Sequence, residues 1–266
     1  MPLPVTPTLR DALAAAERPL AGMWVCSGSP LVAEICAGSG LDWLLIDMEH
    51  APNGLESVLA HLQAVAAYPV VPLVRVPGYL PVMIKQVLDL GAQSILMPMV
   101  DTAEQAEAAV RAVRYPPRGM RGVGSALARS ARWNRVDDYL LEADRHVSLF
   151  VQIESVAGVE NAAEIAAVDG VDGVFVGPSD LAASMGVIGQ QTHPEVVDAV
   201  RRTFAAVTAA GKPVGVNAFD PAVADGYLDA GASFVLVGAD VAVLARGSEA
   251  LATRYVGARQ RDRAGY

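Results

Sequence analysis

GLDWLLIDMEH, residues 40–50, reads as one repeating unit of a larger fold. A glycine suited to the left-handed position that ends a helix is followed, two residues later, by an unbroken apolar run, and then by acidic residues and a histidine. A short apolar run without polar alternation suits a strand buried on both faces of a parallel sheet. The pattern recurs in GAQSILMPMVD from Gly91, GVDGVFVGPSD from Gly170 and GASFVLVGAD from Gly231. Similar candidate strands lie at Met23–Cys26, Val70–Val74, Ser148–Ile153 and Pro213–Val216, which makes eight.

The stretches between them carry helix signals. Asp101 and Thr102 precede Gln105 in a capping box, Pro194 opens a helix running to Ala210, and Asp220–Pro221 opens another. Strands alternating with helices require right-handed crossovers, and eight of them close most economically as a (β/α)₈ TIM barrel of the α/β class. The 266 residues match one such domain of about 250 residues, so the whole chain, 1–266, is read as a single barrel. A C-terminal helix at about 239–264 is expected to pack on a neighbouring subunit. The alternative, a doubly wound open sheet, lacks its usual nucleotide loop, since neither GxGxxG after the first strand nor GxxxxGK[ST] occurs.

With 53% apolar and 18% charged residues the chain can bury a large core, and a net charge of −9 leaves no basic footprint for nucleic acid. The first twenty residues lack the basic and apolar regions of a signal peptide, and no apolar run reaches membrane-spanning length, which points to a soluble cytoplasmic protein. Cys26 and Cys36 lack the spacing of a thiolate metal site and are expected to be buried packing residues. One segment breaks the rhythm. YPPRGMRGVGSALARSARWN, residues 115–134, is long for a connection, and is expected to lie over the site or against a neighbouring subunit, the alternative being a solvated excursion.

The active site of such a barrel forms at the C-terminal ends of its strands. Polar residues expected there are Asp47, Glu49 and His50 after strand two, Arg75 after strand three, Gln152 and Glu154 at strand five, Ser179 and Asp180 at strand six, and Asn217 at strand seven. Glu154 and Asp180 are one βα unit apart, on neighbouring strands about 4.8 Å apart. Two carboxylates so close suit a hard divalent cation; a proton-sharing acid pair and a pair of helix caps are the alternatives. His50, the one histidine of four at a strand's C-terminal end, suits a general base. Arg75 suits oxyanion stabilisation, or a salt bridge closing the barrel top. The two lysines, Lys85 and Lys212, fall inside a helix and just before strand seven, so neither is placed to form a Schiff base.

LDWLLIDMEHAPN (41–53), RYPPRGMRGVGSALARSARWNR (114–135), VQIES (151–155) and GVDGVFVGPSDLAASMG (170–186) resemble the HpcH/HpaI family of metal-dependent (class II) pyruvate aldolases, with the likeness running from about Leu20 to Val256. The resemblance implies His50 as proton acceptor, Arg75 as transition-state stabiliser, Glu154 and Asp180 as metal ligands, and Gln152, Ser179, Asp180 and Arg75 as contacts of pyruvate. It also implies that an acid matching Asp89 raises the basicity of the histidine. Asp89 closes a helix at the far end of its own barrel, so that role requires a neighbouring subunit, in keeping with the family's hexamers; Asp47 is the alternative partner within the chain. The implied reaction is reversible cleavage of a 4-hydroxy-2-oxo acid to pyruvate and an aldehyde, with Mg²⁺, Mn²⁺ or Co²⁺ and no organic cofactor. Competing readings are a CoA-thioester lyase of the citrate lyase β type, for which only residues 118–135 offer arginine density, and a non-catalytic dicarboxylate-binding barrel.

Overall fold

The computed structural model describes residues 5–124 and 127–256. Eight parallel strands form a closed barrel in sequential order: β1 Leu20–Val25, β2 Trp43–Asp47, β3 Val71–Arg75, β4 Ser94–Met97, β5 Ser148–Ile153, β6 Gly173–Val176, β7 Val214–Asn217 and β8 Phe234–Ala239. Around them run α1 Leu9–Ala15, α2 Pro30–Ala37, α3 Leu55–Ala64, α4 Pro81–Asp89, α5 Ala103–Val113, α6 Tyr139–Glu142, α7 Val156–Glu160, α8 Ala162–Ala167, α9 Pro178–Ser184, α10 Pro194–Ala209, α11 Pro221–Asp229 and α12 Asp240–Val256. The barrel is therefore the closed one and not the open sheet. β1 begins three residues before the expected Met23, at Leu20, where the backbone pairs with β8 through Leu20 and Phe234.

The glycines of the repeated unit adopt the expected left-handed conformation, with φ of 92° at Gly40, 96° at Gly91, 98° at Gly170 and 101° at Gly231. Helix starts also follow the local chemistry. The Thr102 side chain accepts from the Gln105 amide, while Gln105 reaches back to the amide of Asp101. The Asp220 carboxylate caps α11 through the amides of Ala222 and Val223.

Two apolar layers result. The outer one, including Ile46, Val74, Ile95, Val151 and Val216, lies between strands and helices. The inner one fills the barrel with Trp43, Phe150, Phe175 and Phe234, whose rings meet mainly edge to face. Glycine makes room for them: a Cβ on Gly22 would stand 2.2 Å from the Trp43 ring, and one on Gly215 2.4 Å from the Phe234 ring. Leu9 of α1, fully buried, joins this layer and plugs the N-terminal end of the barrel, held there by its amide on the Ser94 hydroxyl at 2.9 Å. Leu9 thereby covers the barrel interior at the end opposite the strands' C-termini.

The described residues of 115–134 do not line the opening at the strands' C-terminal ends within their own chain; Ser125 and Ala126 fall outside the described residues. Arg129 donates to the carbonyl of Leu90, which ends α4, and so neutralises a helix C-terminus at the opposite end of the barrel. Arg121 is buried between Tyr115 and Tyr139 and pairs with Asp89. Cys26 and Cys36 are free and half-buried, and not fully enclosed as expected. The expected C-terminal helix is present as α12, with 257–264 outside the described residues. No helix among the described residues is long and apolar enough to cross a membrane.

Candidate active site

A cleft of about 650 Å³ opens at the C-terminal ends of the strands, lined by His50, Arg75, Gln152, Ser179, Asp180 and Asn217 among others. The nine polar residues expected at the strands' C-terminal ends belong to this end of the barrel; Asp89 does not.

Asp47 and Arg75 end β2 and β3 and are direct partners in register. Their side chains form a two-pronged ion pair, Nε to Oδ1 at 2.8 Å and Nη2 to Oδ2 at 2.9 Å, almost fully shielded from water. Arg75 Nη1 lies 2.9 Å from Glu49 Oε2, a charge contact outside hydrogen-bond geometry, and the guanidinium faces the Trp24 ring with Cζ at 4.2 Å. Arg75 is thus immobilised by the salt bridge at the barrel top while still bordering the cleft.

His50 follows β2, and its side chain is 66% exposed, open to a substrate proton. Asp47, the alternative in-chain partner of His50, is engaged elsewhere. Beyond Arg75, the Asp47 carboxylate accepts from the backbone amides of Glu49 at 3.0 Å and His50 at 3.3 Å, and none of its hydrogen bonds is to the imidazole. Glu49 Oε2, 3.9 Å from His50 Nε2, is the nearest carboxylate. Burial raises the Glu49 carboxyl above its usual range against the pull of Arg75 and His50.

Glu154 follows β5 and is 3% exposed. Its Oε1 accepts from the Met99 amide at 2.9 Å, presented by a left-handed Met99 with φ 55°, and its Oε2 accepts from Gln152 Nε2. Ser179 and Asp180 stand in the first turn of α9 and not at the end of β6, which stops at Val176. Gly177 caps that helix: a Cβ there would stand 2.7 Å from Glu154 Oε2 and 2.9 Å from Gln152 Nε2. The close approach of the α9 start to Glu154 therefore depends on glycine.

The donor set around Glu154 fits a hard divalent cation. Burial, joined by the negative charges of Asp180 and Glu49, pushes the Glu154 carboxyl up to about 7. Gln152 Oε1 is buried without a hydrogen-bond partner. Excess negative charge beside an unsatisfied oxygen is what a cation relieves. Among the described residues no group of three or more His, Cys, Asp or Glu converges, so two carboxylates would be the protein's anionic share, leaving coordination positions for water and substrate.

Asp89 is the last residue of α4, at the end of the barrel opposite His50, with its carboxylate 3.2 Å from Arg121 Nη2. Lys212 donates to the Val171 carbonyl below β7, and Lys85 lies within α4; neither lines the cleft. Sequence reasoning overlooked two contributors. Trp24 supports Arg75 from β1, and an inward-facing position on the first strand was the available signal. The Met99 amide depends on a left-handed non-glycine residue, for which the sequence carries no sign.

The family model described as HpcH/HpaI aldolase/citrate lyase matches residues 20–247. A hydroxypyruvate/pyruvate aldolase of Deinococcus radiodurans is 54% identical over 252 residues, covering 95% of this chain and 91% of that protein. A 4-hydroxy-2-oxo-heptane-1,7-dioate aldolase of Salmonella dublin is 52% identical over 246 residues, 92% of this chain and 93% of the relative. The crystal structure of an HpcH/HpaI aldolase/citrate lyase family protein from Burkholderia cenocepacia J2315 superposes with a TM-score of 0.89 at 42% identity, covering 92% of this chain and 98% of that one. With the barrel, the carboxylates flanking Gly177 and the match over most of its length, this chain belongs to the HpcH/HpaI aldolase/citrate lyase family.

Proposed function

We propose that this chain is a class II aldolase, reversibly cleaving 4-hydroxy-2-oxo acids to pyruvate, or its 3-hydroxy derivative, and an aldehyde. The observation that carries the reading is a cleft lined by a base-competent His50, an immobilised Arg75 and Asp180, with the buried Glu154 carboxylate bonded to the cleft residue Gln152 and both lysines elsewhere. Two relatives above 50% identity, both named as aldolases, favour it over a CoA-thioester lyase.

Glu154 and Asp180 would hold a divalent cation, Mg²⁺, Mn²⁺ or Co²⁺, which when bound supplies Lewis-acid stabilisation of an enolate. The start of α9 receives the substrate carboxylate near Ser179 and Asp180, and Gln152 orients the 2-oxo acid. His50 accepts a proton from C3, and Arg75 stabilises the oxygen on which charge develops. In synthesis C3 bonds to the aldehyde carbon and the new alkoxide takes a proton; in cleavage the 4-hydroxyl proton passes to His50 as the C3–C4 bond breaks.

The basicity of His50 is assigned to Asp89 of a second copy within a homo-oligomer, a hexamer by family likeness. The His50 imidazole is open to such an approach, and α12 bears exposed Val243, Leu244, Leu251 and Tyr255 suited to packing on a neighbour. The function is tested by following pyruvate methyl protons in D₂O by NMR, with Mg²⁺ or Mn²⁺ supplied. Catalysed exchange is expected, and must vanish in His50→Ala; no exchange by the wild-type protein contradicts the reading.

A further inference from the structure

Asn217, the last residue of β7, accepts a hydrogen bond from the Trp24 indole at 2.9 Å. An indole N–H only donates, so the carboxamide has one orientation: Oδ1 faces Trp24, and Nδ2 with its two N–H groups faces away. No described residue accepts from Nδ2. The same Trp24 ring carries the Arg75 guanidinium on its face, and Arg75 is itself fixed by Asp47 and Glu49. One rigid ring therefore sets the Asn217 donors at a constant position relative to Arg75.

β7 adjoins β6, whose following helix carries Asp180, while β1, which carries Trp24, adjoins β2, which leads to His50. A 2-oxo acid held near Glu154 and Asp180 with C3 directed towards His50 and Arg75 occupies the cleft that Asn217 also lines. Asn217 borders such an occupant through the position that Trp24 sets beside Arg75, while Gln191, Thr192 and Asp220 line the same cleft. The remaining wall includes Phe175, Pro178 and Phe219, which offer no donor side chain, and Tyr227, whose hydroxyl is buried without a hydrogen-bond partner among the described residues.

We infer that Asn217 is a specificity-determining residue whose fixed N–H donors read a hydroxyl on C3 of the 2-oxo acid, so that the site favours a 3-hydroxylated nucleophile. The assignment rests on the aldolase reading above. A site built to hydrogen-bond a substrate hydroxyl discriminates strongly, because donors left facing an apolar group lose their partner.

The test compares hydroxypyruvate with pyruvate as nucleophile, each with glycolaldehyde and with propanal, in wild-type, Asn217→Leu and Trp24→Phe enzymes loaded with Mn²⁺. Asn217→Leu is expected to lower the hydroxypyruvate-to-pyruvate ratio of kcat/KM roughly tenfold with either aldehyde. Trp24→Phe, which lets the amide turn over, lowers it in the same direction by a smaller factor. An unchanged ratio in Asn217→Leu beside an active wild type overturns the assignment alone. So does a change that follows the hydroxyl of the aldehyde. Wild-type enzyme forming no adduct with either nucleophile overturns the aldolase reading and the assignment together.

Discussion

Glu154 is made an unusually weak acid by three sources at once: burial, the charge of Asp180 and the charge of Glu49, opposed by the Met99 amide and Arg75. Folding therefore tightens the hold of this carboxyl on its proton. The sign follows: in metal-free protein Glu154 contributes stability below the ordinary carboxylate range, and that contribution is lost as pH rises towards about 7. A cation competes with the same proton, so its affinity should climb over that window. Calorimetry of Mn²⁺ binding at pH 6 in buffers of differing ionisation enthalpy should register proton release, absent in Glu154→Gln; equal release by both proteins would refute the coupling. His50→Ala should lower the rate of pyruvate release by about 10²–10⁴-fold while leaving Mn²⁺ affinity nearly intact. Near-normal turnover across the pH range would remove the general-base role. Asp47→Ala leaves Arg75 buried beside Glu49 without its main partner, and urea unfolding should show a loss of about 3–5 kcal/mol; a loss under 1 kcal/mol would mean that Glu49 and Trp24 suffice.

At the scale of single elements, the turn from β6 into α9 depends on Gly177, whose missing Cβ lets the helix start approach Glu154 and Gln152. Gly177→Ala should displace the Glu154 carboxylate and weaken Mn²⁺ binding at least tenfold while the barrel stays folded by circular dichroism; unaltered affinity would show that the turn yields without moving Glu154. The strands and most helix starts were legible in sequence because they rest on local signals: a helix-ending glycine, an unbroken apolar run, an Asp or Thr that caps. β1 starts earlier than its apolar run suggests, because Gly22 within it makes room for Trp43, a packing need that local sequence does not display. The candidate site was legible in outline for the same topological reason, since residues following strands converge. The fine pairings were not, because they depend on which side chains meet in three dimensions. Asp47 and Glu49 flank Met48 alike in the sequence, yet the β2–β3 register commits Asp47 to Arg75 and leaves Glu49 nearest the imidazole.

For the whole molecule, the barrel separates two groups that the proposed chemistry joins. His50 opens at the C-terminal end of the strands, and Asp89, paired with Arg121, lies at the other. If a second copy brings them together, mixed assemblies of Asp89→Asn and His50→Ala subunits should regain activity that neither has alone, as some sites acquire both wild-type residues. Mixtures no more active than their components, or a monomer by sedimentation, would contradict the shared site and leave Glu49 beside His50. The central claim, that the two carboxylates flanking Gly177 serve metal-assisted chemistry in place of a lysine adduct, is met most directly by one assay: pyruvate release from a panel of 4-hydroxy-2-oxo acids before and after exhaustive chelation, with borohydride added in parallel. The account predicts activity lost to chelation, restored by Mg²⁺, Mn²⁺ or Co²⁺, and untouched by borohydride with pyruvate present; full activity after chelation, or a borohydride-trapped pyruvate adduct, would contradict it.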